Sequence, residues 1–312
     1  MVDLSVSIGS VRLANPVMPG SGTIAEGMAD VIDLGRLGAI VLKTITPDIR
    51  QGTLPPRVAE FANGTVFSIG IPSKGPDHLV GYTVPFYQRF GVPVIASVSA
   101  DTAEDFGTLA ARISVPGVAA IEANISCPNL RAHGAAFGMD CAATAAVVRA
   151  MKAGTHLPVW AKLTPNVGDV AAIARAAEDA GADAIVMGNA PLAMAIDAER
   201  MRPRLGNVIG GLTGAAIKPI LLRMVHQVAG AARIPIIGCG GITGGEDAVE
   251  YLLAGAAAVQ MGTVNFIHPH AMPDAIAWIE DYCRRHGIAA VRDLTGALAD
   301  THTSPPKLPL TI

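Results

Sequence analysis

The sequence predicts an α/β protein, a (β/α)8 TIM barrel built as a single domain over residues 1–312. Three observations carry that prediction. Eight short runs rich in Val and Ile recur along the chain, each four to six residues long and each closed by Gly, Asn, Ser or Lys. Amphipathic helical patterns lie between the later runs. The composition is 51% hydrophobic but only 4% aromatic, so the core must be made of Ala, Val, Ile and Leu. That usage suits buried parallel strands covered by small-faced helices.

The runs are Pro16–Pro19, Ala39–Leu42, Pro93–Val98, Ala119–Ala123, Pro158–Leu163, Asp183–Met187, Pro235–Cys239 and Ala257–Met261. Their length and bounding residues mark buried parallel strands. In Asp169–Ala180, Val170, Ile173, Ala174 and Ala177 share one helical face opposite Arg175, Glu178 and Asp179. In Glu246–Ala254, Ala248, Val249, Leu252 and Leu253 form a stripe that stops at Gly255, a C-cap residue. A doubly wound sheet with extra strands is the alternative arrangement. Two connections, 44–92 and 190–216, exceed plain βα loops. In a barrel, such loops at the carboxyl ends of strands are where substrate chemistry is placed.

Only 16% of the residues are charged, which with the apolar fraction excludes a disordered chain. The 34 glycines follow no period, which excludes collagen-like character. A net charge of −3 offers no basic footprint for nucleic acid and no charged block for a membrane surface. The longest apolar stretch lies between Asp183 and Asp197, contains Asn189 and Pro191, and falls short of the ~18 residues of a membrane span. The N-terminus has no basic region followed by an apolar run. Cys127, Cys141, Cys239 and Cys283 are far apart with no CxxC pair, so a disulfide framework, a zinc site or an iron–sulfur site in this chain is not expected. A reduced, soluble, cytoplasmic protein is the expectation.

A barrel would gather its strand ends on one face: Gly20-Ser21-Gly22-Thr23, Lys43-Thr44, Ser97, Asn124-Ile125-Ser126-Cys127, Lys162, Asn189, Gly240-Gly241 and Gly262-Thr263. The set is small, polar and amide-rich, without a carboxylate or histidine cluster. Metal binding and paired-carboxylate hydrolysis are therefore not expected. Gly240-Gly241 and Gly262-Thr263, with Thr243, Gly244 and Gly245 at a helix start, place backbone N–H groups after strands seven and eight. That is the standard barrel phosphate site; read structurally, the same glycines make tight turns. Lys43 and Lys162 would point into the mouth, where a lysine can form a Schiff base, hold a phosphate or compensate charge developing on a flavin ring. The bland alternative is a surface lysine. Cys127, bracketed by Asn124 and Asn129, is either a small buried hydrophobe or a thiol facing a planar polar ligand. Cys141, Cys239 and Cys283 fit the buried-hydrophobe reading.

The motifs Asn-Ile-Ser-Cys-Pro-Asn (124–129), Gly-Gly-Leu-Thr-Gly-Ala-Ala-Ile-Lys-Pro (210–219), Ile-Gly-Cys-Gly-Gly-Ile (237–242) and Val-Gln-Met-Gly-Thr (259–263) resemble the dihydroorotate dehydrogenase family. The likeness runs from Asn15-Pro16-Val17-Met18-Pro19 to about Phe266. The stretches 194–197 and 222–228 are most similar to the NAD-linked, two-subunit branch of the cytosolic class. The resemblance implies FMN on the barrel mouth, with its phosphate at Gly240, Gly241, Gly262 and Thr263. Gly20, Ser21, Lys43, Thr44, Asn124 and Lys162 would contact the cofactor and Gly211 would lie beside it. Cys127 would be the catalytic base that takes a proton from substrate carbon while a hydride passes to the flavin. Asn124, Asn129, Asn189, Ser68 and Lys43 would hold the substrate. An accessory subunit with FAD and an iron–sulfur cluster, and a homodimeric core, are implied partners.

The chain also departs from the family pattern. For the asparagine-rich loop Asn-x-x-Gly-Leu-x-Asn-x-Gly this chain has Ser68–Gly75, with serines at 68 and 73 read in place of the asparagines. Ala190 follows Asn189 where Ser or Thr is usual, and Ser97 stands where an asparagine is expected after strand three. Each lost amide costs about 1–3 kcal/mol against a buried ligand group, so FMN is more firmly implied than dihydroorotate, and a flavoenzyme with a different substrate stays open. Lys74 could add a positive contact to an anionic ligand. A phosphate-binding lyase with a Schiff-base lysine at 43 or 162 is the reading from a different class.

Overall fold

The computed structural model describes residues 2–126 and 137–299. The strands β1 (Val17–Pro19), β2 (Ile40–Val41), β3 (Val94–Val98), β4 (Val118–Asn124), β5 (Val159–Leu163), β6 (Ala184–Met187), β7 (Ile236–Cys239) and β8 (Ala258–Met261) form one parallel sheet. Its order is β1-β8-β7-β6-β5-β4-β3-β2. The sheet curls until its two edges meet: the Gly38 N–H, just before β2, donates to the Val17 carbonyl of β1 at 2.8 Å. A Cβ on Gly38 would stand 2.1 Å from the Asn15 carbonyl oxygen, so the seam closes only on a glycine. All eight predicted strands are present in a barrel, and the doubly wound alternative falls.

The helices α1 (Ala103–Ile113), α2 (Cys141–Gly154), α3 (Val170–Asp179), α4 (Lys218–Ala229), α5 (Gly245–Leu253) and α6 (Ala271–Arg285) follow β3 through β8. Three begin on side-chain caps, in which Thr102 accepts from the Asp105 N–H, Asp140 from Ala143 and Asp169 from Ala172. Each cap satisfies a donor left open by the first helical turn and contributes about 1 kcal/mol. The predicted face of α3 is the buried one, Val170, Ile173, Ala174 and Ala177. Gly255 follows α5 in the left-handed region at φ +116°, as its sequence position led us to expect.

Two features lie outside the sequence expectation. An antiparallel hairpin, Val6–Ile8 with Val11–Leu13, covers the amino end of the barrel, where its Gly9 lies against Asp183 at the start of β6. The two long connections are also not independent loops. Their segments Leu192–Ala193, Gly210–Thr213, Gly64–Phe67 and Val58–Phe61 pair, in that order, into one antiparallel sheet. It has its own small core of Ala59, Val66 and Leu205. This roof joins the mouth where Thr213 and Thr263 share a hydroxyl hydrogen bond. Among the described residues, no helix is long and apolar enough to cross a membrane.

Candidate active site

Strand register brings the mouth residues together. Ser97 of β3 stands beside Glu122 of β4, and Asn124 of β4 beside Lys162 of β5. Glu122, Ser97 and Gln260 have no exposed surface, and Lys162, Thr44, Asn124 and Ser126 have almost none. Polar groups buried this deeply are tolerated when they satisfy one another. The Lys162 ammonium donates to Gln260 Oε1 at 2.9 Å and to Ser21 Oγ at 3.4 Å, and lies 3.7 Å from Glu122 Oε1. Gln260 Nε2 donates to Glu122 Oε2 at 2.7 Å and Ser97 Oγ to Glu122 Oε1 at 2.9 Å. Burial works against the ammonium, but the Glu122 carboxylate outweighs it and holds the Lys162 pKa above the usual lysine value. Lys162 is thus a fixed cation, neither a surface lysine nor a neutral amine ready to form a Schiff base.

From Glu122 the network runs on across the mouth. Thr44 and Ser97 hydroxyls are 2.9 Å apart, Asn124 Nδ2 donates to Thr44 Oγ1 at 3.1 Å, and Ser126 Oγ donates to Asn124 Oδ1 at 2.8 Å. Asn189 Nδ2 donates to Ser126 Oγ, and Asn189 Oδ1 accepts from the Ala190 N–H at 2.7 Å. Glu122 and Gln260 were not among the sequence candidates. Their signal was present: a charge and an amide in the middle of apolar strands, at positions whose neighbours are wholly buried. Reading only strand ends passed over it.

Lys43, after β2, has no hydrogen-bond or ion-pair partner among the described residues. It is exposed, and its ammonium lies 3.5 Å from where a Cβ on Gly22 would stand. Burial pulls its pKa below the ordinary lysine value. Cys127 and Asn129 lie outside the described residues. Cys283 is buried as expected, but Cys141 is exposed, because it opens α2 on the surface.

The glycine turns after β7 and β8 form a cradle. Gly240 and Gly241 have φ +122° and +71°. A Cβ on Gly241 would stand 2.5 Å from the Lys218 backbone nitrogen, and one on Gly240 2.9 Å from Leu221 Cγ. Gly20 lies against Gly262, its N–H bonded to the Met261 carbonyl at 2.7 Å. The turn and loop hydrogen bonds among the described residues leave the N–H groups of Gly240, Gly241, Gly262 and Thr263 unused. Unused N–H groups on glycine turns at the strand ends fit a phosphate. Thr243 does not add to them: its N–H donates to Asp247 Oδ2 at 2.7 Å. Asp247 is in turn bound by the Lys218 ammonium at 2.6 Å. Burial disfavours that carboxylate, but Lys218 and Thr243 overcome it and hold its pKa below the usual range.

The remaining predicted residues sit in the roof. Gly211 pairs with Phe67 and Leu192, and a Cβ there would stand 2.6 Å from Ala190 Cβ. The hydroxyl of Ser68 is buried and accepts from Asn207 at 2.8 Å. Ser73 Oγ accepts from the Thr46 and Gly75 N–H groups at 3.0 and 3.1 Å. Both serines thus brace the loop. Counted back from Gly70, the family spacing puts its first asparagine at Phe67, one position before Ser68. Among the described residues no group of three or more His, Cys, Asp or Glu side chains could hold a metal.

Barrel, glycine turns and buried cation fit the mouth of a barrel enzyme that takes a phosphate-bearing cofactor. The chain belongs to the dihydroorotate dehydrogenase family, whose model matches residues 3–282. It is 46% identical over 299 residues to the catalytic subunit of dihydroorotate dehydrogenase B (NAD(+)) from Desulforamulus reducens, covering 95% of this chain and 98% of that one. The protein of the same name from Desulforudis audaxviator is 47% identical over 299 residues, covering 95% and 97%. That from Bacteroides thetaiotaomicron is 45% identical over 301 residues, covering 96% and 99%. Enzymes of this family are FMN-dependent oxidoreductases acting on a carbon–carbon single bond.

Proposed function

We propose that this chain oxidises dihydroorotate to orotate in pyrimidine biosynthesis, as the catalytic subunit of an NAD-linked enzyme. The observation that carries the reading is the buried Lys162 cation, clamped by Glu122 and Gln260, on the same mouth as the unused N–H cradle. FMN, when bound, supplies the two-electron acceptor for the substrate hydride. Gly240, Gly241, Gly262 and Thr263 hold its phosphate, while Gly20, Ser21, Thr44, Asn124 and Lys162 contact the rest of it and Gly211 lies beside it. A fixed positive charge there stabilises negative charge that develops during reduction. Cys127 takes the proton from the adjacent substrate carbon. Asn124, Asn129 and Asn189 hold the pyrimidine and its carboxylate, with Lys43 as an unpaired cation toward the anionic substrate.

Electrons leave through an accessory subunit carrying FAD and an iron–sulfur cluster, for which this chain's four scattered cysteines supply no ligand set. The catalytic core is a homodimer of one-domain barrels and works in the cytoplasm. The test is spectral. The FMN-loaded protein should be yellow and lose that colour anaerobically with dihydroorotate, and not with dihydropyrimidines lacking the carboxylate. Colourless protein whose Lys43 or Lys162 is trapped on a carbonyl substrate by borohydride would support the lyase reading instead.

A further inference from the structure

We propose that Glu122 is a positioning residue that dictates which atoms the Asn124 amide presents to the substrate. This rests on the dihydroorotate reading of the mouth. The argument is one of donors and acceptors. Lysine has only donors, so Lys162 obliges Gln260 to turn Oε1 toward it and Nε2 toward Glu122. A carboxylate only accepts, so Ser97 must donate to Glu122. The Ser97 oxygen is then free to accept from Thr44, which accepts from Asn124 Nδ2. Asn124 Oδ1 accepts from Ser126, and Ser126 accepts from Asn189 Nδ2.

Every link therefore points the same way, from Asn189 to Glu122, and the chain ends on a group that cannot donate. What it leaves for a ligand are the second N–H hydrogens of Asn124 and Asn189, both donors and both suited to an anion. An amide at position 122 cannot keep this arrangement. Gln260 still presents Nε2, so the new amide must offer it oxygen and turn its NH2 toward Ser97. The links from position 122 through Ser97 and Thr44 to Ser126 then reverse and Asn124 flips its exchangeable end, while Asn189, whose Oδ1 is held by the Ala190 N–H at 2.7 Å, keeps its orientation.

Two substitutions act on this chain at its anchored end. Glu122→Gln reverses it with almost no change of shape, and Ser97→Ala cuts it while leaving Lys162, Gln260 and Glu122 in contact. On the FMN-loaded protein, orotate binding measured by titration calorimetry should weaken about tenfold in each variant, the effect of one misdirected buried hydrogen bond. The double variant should also be about tenfold weaker rather than about a hundredfold, because both changes act through one chain. Orotate affinities within about twofold of wild type in both single variants, or fully additive losses, would overturn the role. Wild-type protein that binds FMN but no orotate would overturn the substrate reading itself, and the orienting role with it.

Discussion

The Lys162 ammonium and the Glu122 carboxylate face each other at 3.7 Å from neighbouring strands, with 6% and 0% of their side chains exposed. Neither could be buried here alone, since an unpaired ion at this depth would cost several kcal/mol. Lys162→Met should therefore destabilise the protein by about 3–5 kcal/mol, because it strands the carboxylate. Urea unfolding of the cofactor-free chain measures this. The double variant Lys162→Met with Glu122→Gln should recover most of the loss. A single-variant effect under about 1 kcal/mol would mean that water or another cation compensates Glu122.

Lys43 provides the pH dependence of substrate affinity. Burial lowers its folded pKa, so it loses its proton at a lower pH than an ordinary lysine does. Affinity for anionic orotate should be greatest below the lowered value and decline as pH rises through it toward about 10.4, the ordinary lysine value. In Lys43→Met the affinity should be weaker at neutral pH and flat over the same range. Calorimetric titrations from neutral to alkaline pH compare the two directly.

Gly241 tests the phosphate cradle. Its left-handed φ of +71° and the 2.5 Å approach of a built Cβ to the Lys218 backbone leave no room for a side chain. Gly241→Ala should weaken FMN binding at least about tenfold and lower stability by about 1–3 kcal/mol through backbone strain. Flavin fluorescence during titration reports the first effect and thermal unfolding the second. A variant that retains FMN with wild-type affinity would remove Gly241 from the cradle.

The barrel was legible because its strands are short apolar runs with abrupt polar ends, such as Pro158–Leu163 ending near Lys162, and because such runs leave few alternatives to a closed parallel sheet. The glycine turns were legible for a related reason: Gly240-Gly241 and Gly262-Thr263 directly follow the apolar runs of β7 and β8. What escaped was long-range pairing. Nothing in residues 58–67 signals that they pair with residues 210–213, since strand pairing between distant loops leaves no local periodicity. The Thr243 contribution was overestimated because the sequence places it at a helix start but does not show Asp247 reaching back to occupy its N–H.

Glu122 was hidden by its surroundings. Inside Ala119–Ala123 it interrupts an apolar run, and a strand pattern treats one interruption as tolerable. Its meaning depends on Lys162, Ser97 and Gln260, which lie 40, 25 and 138 positions away in sequence. The glycine turns needed only local sequence to be read, whereas this network needed the register of four strands.

The central claim is that Cys127 takes a proton from dihydroorotate as FMN is reduced. The most direct measurement is an anaerobic single turnover of the FMN-loaded chain, without any partner subunit, that follows flavin absorbance and orotate together across pH. The account expects one orotate per flavin reduced. The rate should rise as pH passes through the thiol range, near pKa ~8.5. Cys127→Ala should slow reduction by about 10²–10⁴-fold while still binding orotate. Wild-type protein that binds FMN but forms no orotate, or a reduction rate that is flat through the thiol range, would contradict it.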